Sequence, residues 1–182
     1  MARVPYLDQS DLPPEHKDVL ARPIALNRAM ANSPNASRAM GGLAKYIRHD
    51  SKLDPRLREM AILQVGWLAN SAYEWSHHVK LGREFGVSDS DIASIGAETA
   101  GRATKLDDLS KTVLRAAREM TTDLAMSDAT YTALEKALGR EQVIDLTLAI
   151  AFYNAVVRLL GTLQIDVEPE YRRYLEEHPL PR

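Results

Sequence analysis

The densest run of side chains able to do chemistry is Asn70-Ser71-Ala72-Tyr73-Glu74-Trp75-Ser76-His77-His78, which holds two of the chain's 5 histidines beside a carboxylate. Glu74 and His78 are four residues apart, so on a helix they share a face, while His77 is turned about 100° from His78. That spacing lets one histidine point inward with Glu74 and turns the other away. A carboxylate beside an imidazole in an apolar pocket holds the ring's tautomer and raises its basicity, which suits acid–base catalysis near neutral pH. The same residues have plainer uses. Glu74 can close a capping box begun by Ser71, Tyr73 and Trp75 can be core, and a helical histidine can be structural.

Two further constellations carry chemistry. Glu74-x-x-His77 has the helical spacing of carboxylate-bridged di-iron bundles, but that site needs a second Glu-x-x-His, which the sequence lacks. Asn154 and Arg158 share a face of an apolar C-terminal segment, where a buried Arg158 would need a structural carboxylate or a substrate carboxylate held bidentately.

The elements that must position these residues read as helices. Asp54-Pro55 starts one running to about Leu68, with Glu59 inside an apolar stretch that leaves little polar face. Ser71 starts the next, from Ala72 to Phe85, and Gly86 stops it before a fresh N-cap in Ser88-Asp89-Ser90-Asp91 for a helix to about Ala97. Further helices are expected at Glu15 to Ala31, Ala36 to His49, Asp108 to Leu124, Asp128 to Leu138 and Glu141 to Leu163. That gives seven or eight helices, no strand, and proline-bearing extended arms at residues 1–14 and 165–182.

Composition bounds the rest. With 182 residues, 45% of them hydrophobic, one compact domain over residues 1–182 is the expectation. The 23 basic and 25 acidic residues are dispersed, so no clustered positive field invites nucleic acid. No stretch of about 18 apolar residues runs uninterrupted, and the first residues lead into acidic and proline-rich sequence, so no membrane partner and a cytoplasmic location are expected. The chain has 0 cysteines, which removes disulfides, thiolate ligands and thiol nucleophiles together.

Read as a block, Leu53-Asp54-Pro55-Arg56-Leu57-Arg58-Glu59-Met60-Ala61-Ile62-Leu63 followed by Ser71-Ala72-Tyr73-Glu74-Trp75-Ser76-His77-His78-Val79 resembles the core motif of the carboxymuconolactone decarboxylase family. Gly86-Val87-Ser88-Asp89-Ser90-Asp91-Ile92 continues it, so the likeness spans residues 50–95, with looser support from Tyr153-Asn154 and Arg158. Peroxidase members of this AhpD-like superfamily carry a Glu, a Cys-x-x-Cys and a His. Here those positions hold Glu59, Ser71, Glu74 and His78. The resemblance implies an all-α, AhpD-like helical bundle that assembles as a trimer or hexamer, with Glu59, Glu74 and His78 as catalytic residues. Substrate contacts are expected from Ser71, Tyr73, Trp75, His77, Asn154 and Arg158.

Without thiols, peroxide reduction through a sulfenic acid and a disulfide is excluded. The expected function is a cofactor-free lyase, a decarboxylase or isomerase, on a small carboxylic acid or lactone such as those of aromatic breakdown. No bound metal is expected. The alternatives are a non-catalytic binding or scaffold protein that kept the fold, and a metal-dependent enzyme using Glu74 and His77.

Overall fold

A computed structural model describes residues 2–181. Asp54 caps the first long helix, accepting from the amides of Arg56 and Leu57, with Pro55 at the position where a missing N–H costs nothing. This helix, α3 (Pro55–Leu68), buries ten consecutive residues from Leu57 to Gly66, because α4 (Ala72–Glu84), α5 (Asp89–Thr99), α6 (Asp108–Thr122) and α8 (Arg140–Leu163) all pack on it. Such all-round packing explains why its sequence has almost no polar face. Asn70 makes the turn into α4 in left-handed conformation, φ 48°, and the Ser71 amide bonds back to the Gly66 carbonyl at 3.0 Å. A turn this short sets α3 and α4 as a helical hairpin, which brings Glu59 opposite His78.

The caps foreseen for α4 and α5 are present, and α7 (Asp128–Leu138) has one as well: Ser71, Ser88 and Ser127 each accept from an amide three residues on. Gly139, at φ 78°, separates α7 from α8. Among the described residues there are nine α-helices and no strand, more helices than the seven or eight expected. Part of the excess comes from the ends. The expected helix over residues 15–31 is broken at Pro23, which lacks an amide donor and disfavours helical backbone before it, leaving a 3-10 segment Pro14–Leu20 and a short α1 (Ala25–Met30). The C-terminal arm also departs from an extended strap. It folds into a 3-10 turn, Pro169–Tyr171, and α9 (Arg172–Glu177), which packs on α4.

The expected helix over 36–49 runs instead as α2 (Pro34–Lys45) and then widens into a π turn, Tyr46–Asp50. By length and composition α8 could cross a membrane, but half of that stretch is buried inside the protein, where Asp145 and Asn154 are also enclosed.

Candidate functional site

His78 sits on the inward face of α4, 4% exposed, with a carboxylate at each ring nitrogen. Its Nδ1 lies 2.6 Å from Glu59 Oε2 and its Nε2 2.9 Å from Glu74 Oε1. The first contact is a formed hydrogen bond. The second is an ion pair off the hydrogen-bonding line, which leaves the buried Glu74 Oε1 without a hydrogen-bond partner. Burial by itself would make the ring less basic, but Glu74 and Glu59 outweigh it and raise His78 to about 9. His78 therefore rests as an imidazolium at neutral pH. Glu59, 1% exposed, is pushed up by burial, yet His78 and Arg58 together hold it below its ordinary range. Arg58 completes the chain of charges, donating from Nε to Glu59 at 3.0 Å and lying over the Phe85 ring.

Glu74 does not close the capping box that the sequence suggests. Ser71 accepts from the Glu74 amide, but the Glu74 carboxylate turns inward to His78, where an i,i+4 cation attracts it more strongly than a backbone amide at the surface does.

The face of α4 that carries Glu74 and His78 forms one wall of a cavity of about 460 Å³. Tyr73, His77 and Leu81 extend that wall; Phe152, Tyr153 and Val156 come from α8, and Met40, Ala44, Lys45, Arg48 and Arg22 from the N-terminal half. The Tyr153 ring meets His78 edge-on at 4.9 Å. Arg22, Lys45 and Arg48 put positive charge around a space whose one lining carboxylate, among the described residues, is Glu74.

His77 faces this same cavity, against the expectation that a quarter turn would carry it away. The C-terminal arm covers the far side of α4, so the rotation leads to more protein rather than to solvent. The ring is stacked between Tyr73, at 4.1 Å, and Tyr171, at 3.6 Å. Burial makes His77 less basic and outweighs the effect of Glu168, so the neutral ring donates from Nε2 to Glu168 Oε2 at 2.9 Å. Glu168 also accepts from the Ala25 amide and the Tyr73 hydroxyl; burial pushes it up, but the His77 and Ala25 bonds bring it down to about 2.

The remaining residues named from sequence lie elsewhere. Ser71 caps α4 and borders a separate groove of about 260 Å³. Trp75 is core, donating from Nε1 to the His178 carbonyl at 2.7 Å. Asn154 donates to Thr121 and the Ile150 carbonyl. Arg158 does share a face with Asn154, bonding its side-chain oxygen at 3.0 Å, but it is exposed rather than buried and does not line the cavity. Glu74 and His77 take different partners, so they do not converge on one point. Among the described residues no group of three or more His, Cys, Asp or Glu is placed to hold a metal ion. Sequence reasoning missed Arg48, Tyr153 as a cavity residue, Glu168 and Tyr171. Their partners are far away in the chain, and no local spacing announces them.

Residues 34–119, which carry α2 through most of α6 and hence Glu59, Glu74 and His78, match the sequence model of the carboxymuconolactone decarboxylase family. Over these residues the chain is similar to that family. Among curated proteins, none matches it. The fold is AhpD-like. An uncharacterised peroxidase-related protein with an AhpD core from Ralstonia eutropha JMP134 aligns with TM-score 0.80 at 16% identity, over 99% of this chain and 98% of that one. The debrominase Bmp8, solved with 2,3,4-tribromopyrrole, aligns with TM-score 0.79 at 18% identity over 97% of both chains. A protein of unknown function from Agrobacterium tumefaciens, described as a putative antioxidant defence protein, gives TM-score 0.68 at 20% identity, over 76% of this chain and 94% of that one.

Proposed function

We propose that the protein is a cofactor-free acid–base enzyme, a decarboxylase or isomerase, acting on a small carboxylic acid or lactone. The observation that carries this reading is the placement of His78 between Glu59 and Glu74 at the wall of a positively lined cavity of about 460 Å³. Glu59 fixes the Nδ1 proton and balances one charge; Nε2 lies 2.9 Å from Glu74 Oε1, close enough for a small rotation of either side chain to align a proton between them. Glu74 Oε1 has an unused lone pair, so it can take a proton from Nε2 and pass it to a bound molecule, or run the exchange in reverse.

In a decarboxylation, the bond to the carboxylate carbon breaks, CO₂ leaves, and the electron pair flows into the conjugated lactone carbonyl. One proton, delivered through Glu74 and replaced on His78 from solvent, then closes the carbon. In an isomerisation, Glu74 takes a proton from one carbon and returns it to another, with no net consumption. Neither route needs sulfur, which this chain lacks as cysteine. The debrominase of similar fold was solved with a small planar ring, and a cavity of this size suits a molecule of that class.

The test is a panel of unsaturated lactone carboxylic acids followed by ultraviolet absorbance. Turnover is expected for at least one, and Glu74→Gln and His78→Gln should each lower kcat by about a hundredfold or more. Turnover that survives both substitutions would contradict the reading.

A further inference from the structure

Arg48 stands in a π turn, and the turn is held from a distance. Asp145, 5% exposed on α8, accepts from the Tyr46 hydroxyl at 2.7 Å, from the Ser51 hydroxyl at 2.8 Å and from the Lys52 amide at 3.2 Å. It therefore grips both ends of the segment Tyr46–Asp50, whose own closing bond runs from the Ser51 amide to the Tyr46 carbonyl. A π turn inserted after a regular helix costs backbone energy and recurs where a side chain must be re-aimed. A buried carboxylate with three donors is an anchor strong enough to hold one.

What the turn aims is Arg48. Its side chain lines the cavity and reaches the Tyr153 hydroxyl, and no carboxylate among the described residues pairs with it. Its carbonyl accepts from Arg58 Nη1 at 3.2 Å, and the same Arg58 binds Glu59, so the turn and the Glu59–His78 pair share one brace. Tyr153 is 7% exposed, with its ring against His78. A guanidinium and a phenol hydroxyl, both donors, thus meet beside the cavity surface that bears His78.

We propose that Arg48 and Tyr153 form an anion subsite that binds a carboxylate of the substrate, and that Asp145 is the positioning residue that sets it. The pairing suits a planar carboxylate, which can take two N–H bonds from the guanidinium while the phenol donates to one of its oxygens. Lys45 and Arg22 add positive charge around the same space. This assignment rests on the acid–base reading for what happens to the bound acid, but the subsite itself binds without chemistry.

The experiment is calorimetric titration with maleate, and with dimethyl maleate as the uncharged control. Wild type should bind maleate saturably and the diester at least about tenfold more weakly. Arg48→Ala should weaken maleate binding by about ten- to a hundredfold, with Arg48→Lys in between and Tyr153→Phe costing a few-fold. Arg158→Ala, outside the cavity, should leave it unchanged. Asp145→Asn should weaken binding in the wild-type background and add little in the Arg48→Ala background, a non-additivity that general loosening of the fold would not give. If Asp145→Asn does not fold, Ser51→Ala serves in its place. Absence of saturable maleate binding to wild type, equal binding by Arg48→Ala, or an Arg158→Ala effect as large would each overturn the subsite. Binding lost with Arg48 while turnover survives in His78→Gln would instead overturn the acid–base reading and leave the subsite standing.

Discussion

Glu59→Gln keeps the shape of a side chain that is 1% exposed and removes its charge. The lost carboxylate serves two cations, accepting from Arg58 Nε at 3.0 Å and from His78 Nδ1 at 2.6 Å. Raising a histidine from 6.5 to about 9 corresponds to roughly 3 kcal/mol of preference for the imidazolium, at about 1.4 kcal/mol for each tenfold change. Glu74 supplies part of that preference and His78 can shed its proton, so the substitution should cost about 2 kcal/mol at neutral pH, below the full cost of a broken buried ion pair. The sign with pH follows from the direction of the shift. A histidine raised in the folded state stabilises fully below about 6.5, and this contribution is lost as pH rises through about 9. Urea denaturation from about pH 6 to about pH 10 should therefore show wild type losing stability between about pH 6.5 and about pH 9 and levelling off above it. Glu59→Gln should be lower and flatter, and His78→Gln should lack this pH dependence. Wild-type and His78→Gln curves of the same slope between 6.5 and 9, or a Glu59→Gln protein as stable as wild type at neutral pH, would refute the reasoning.

Three further outcomes are expected. Glu168→Gln places an amide against the His77 Nε2 proton and weakens the anchor of Ala25 and Tyr73, costing about 1–2 kcal/mol in urea denaturation. Gly96→Ala puts a methyl carbon 2.6 Å from Trp67 Cζ2, so despite alanine's better helix propensity it should lower the melting temperature, with a cost of about 1–3 kcal/mol. The outer face of α8 presents Ile144, 58% exposed, in line with Leu148, Ala151 and Ala155; we infer a homo-oligomer through this face, so light scattering should give a mass above the monomer that Ile144→Glu lowers.

Where order in the sequence is local, the fold was legible. Asp54-Pro55, Ser71 and the Asp128 to Leu138 segment before Gly139 delimit α3, α4 and α7 because caps and left-handed glycines act within a few residues. Pro23 was the misjudged local signal, since the apolar spacing on either side of it continues through a break. The pairing of Glu74 with His78 could be read from an i,i+4 spacing, and Glu59 joins them through a hairpin with a short turn.

The other half of the cavity could not be read this way. Asp145 meets Tyr46, and Glu168 meets His77, across about half of the chain, and their types alone suggest surface carboxylates. Arg158 shows the converse. Its spacing from Asn154 was right, but which side of α8 faces solvent depends on how the other helices pack, so a residue expected at the site is exposed.

The central claim, that Glu74 and His78 move a proton at the cavity, is tested most directly by proton NMR of turnover in D₂O, using a lactone acid that the enzyme consumes. Wild type should place solvent deuterium on the carbon that lost its carboxylate. Glu74→Gln should do so at least about a hundredfold more slowly while still binding maleate. Deuterium incorporation at the wild-type rate in Glu74→Gln, with the protein folded, would contradict it.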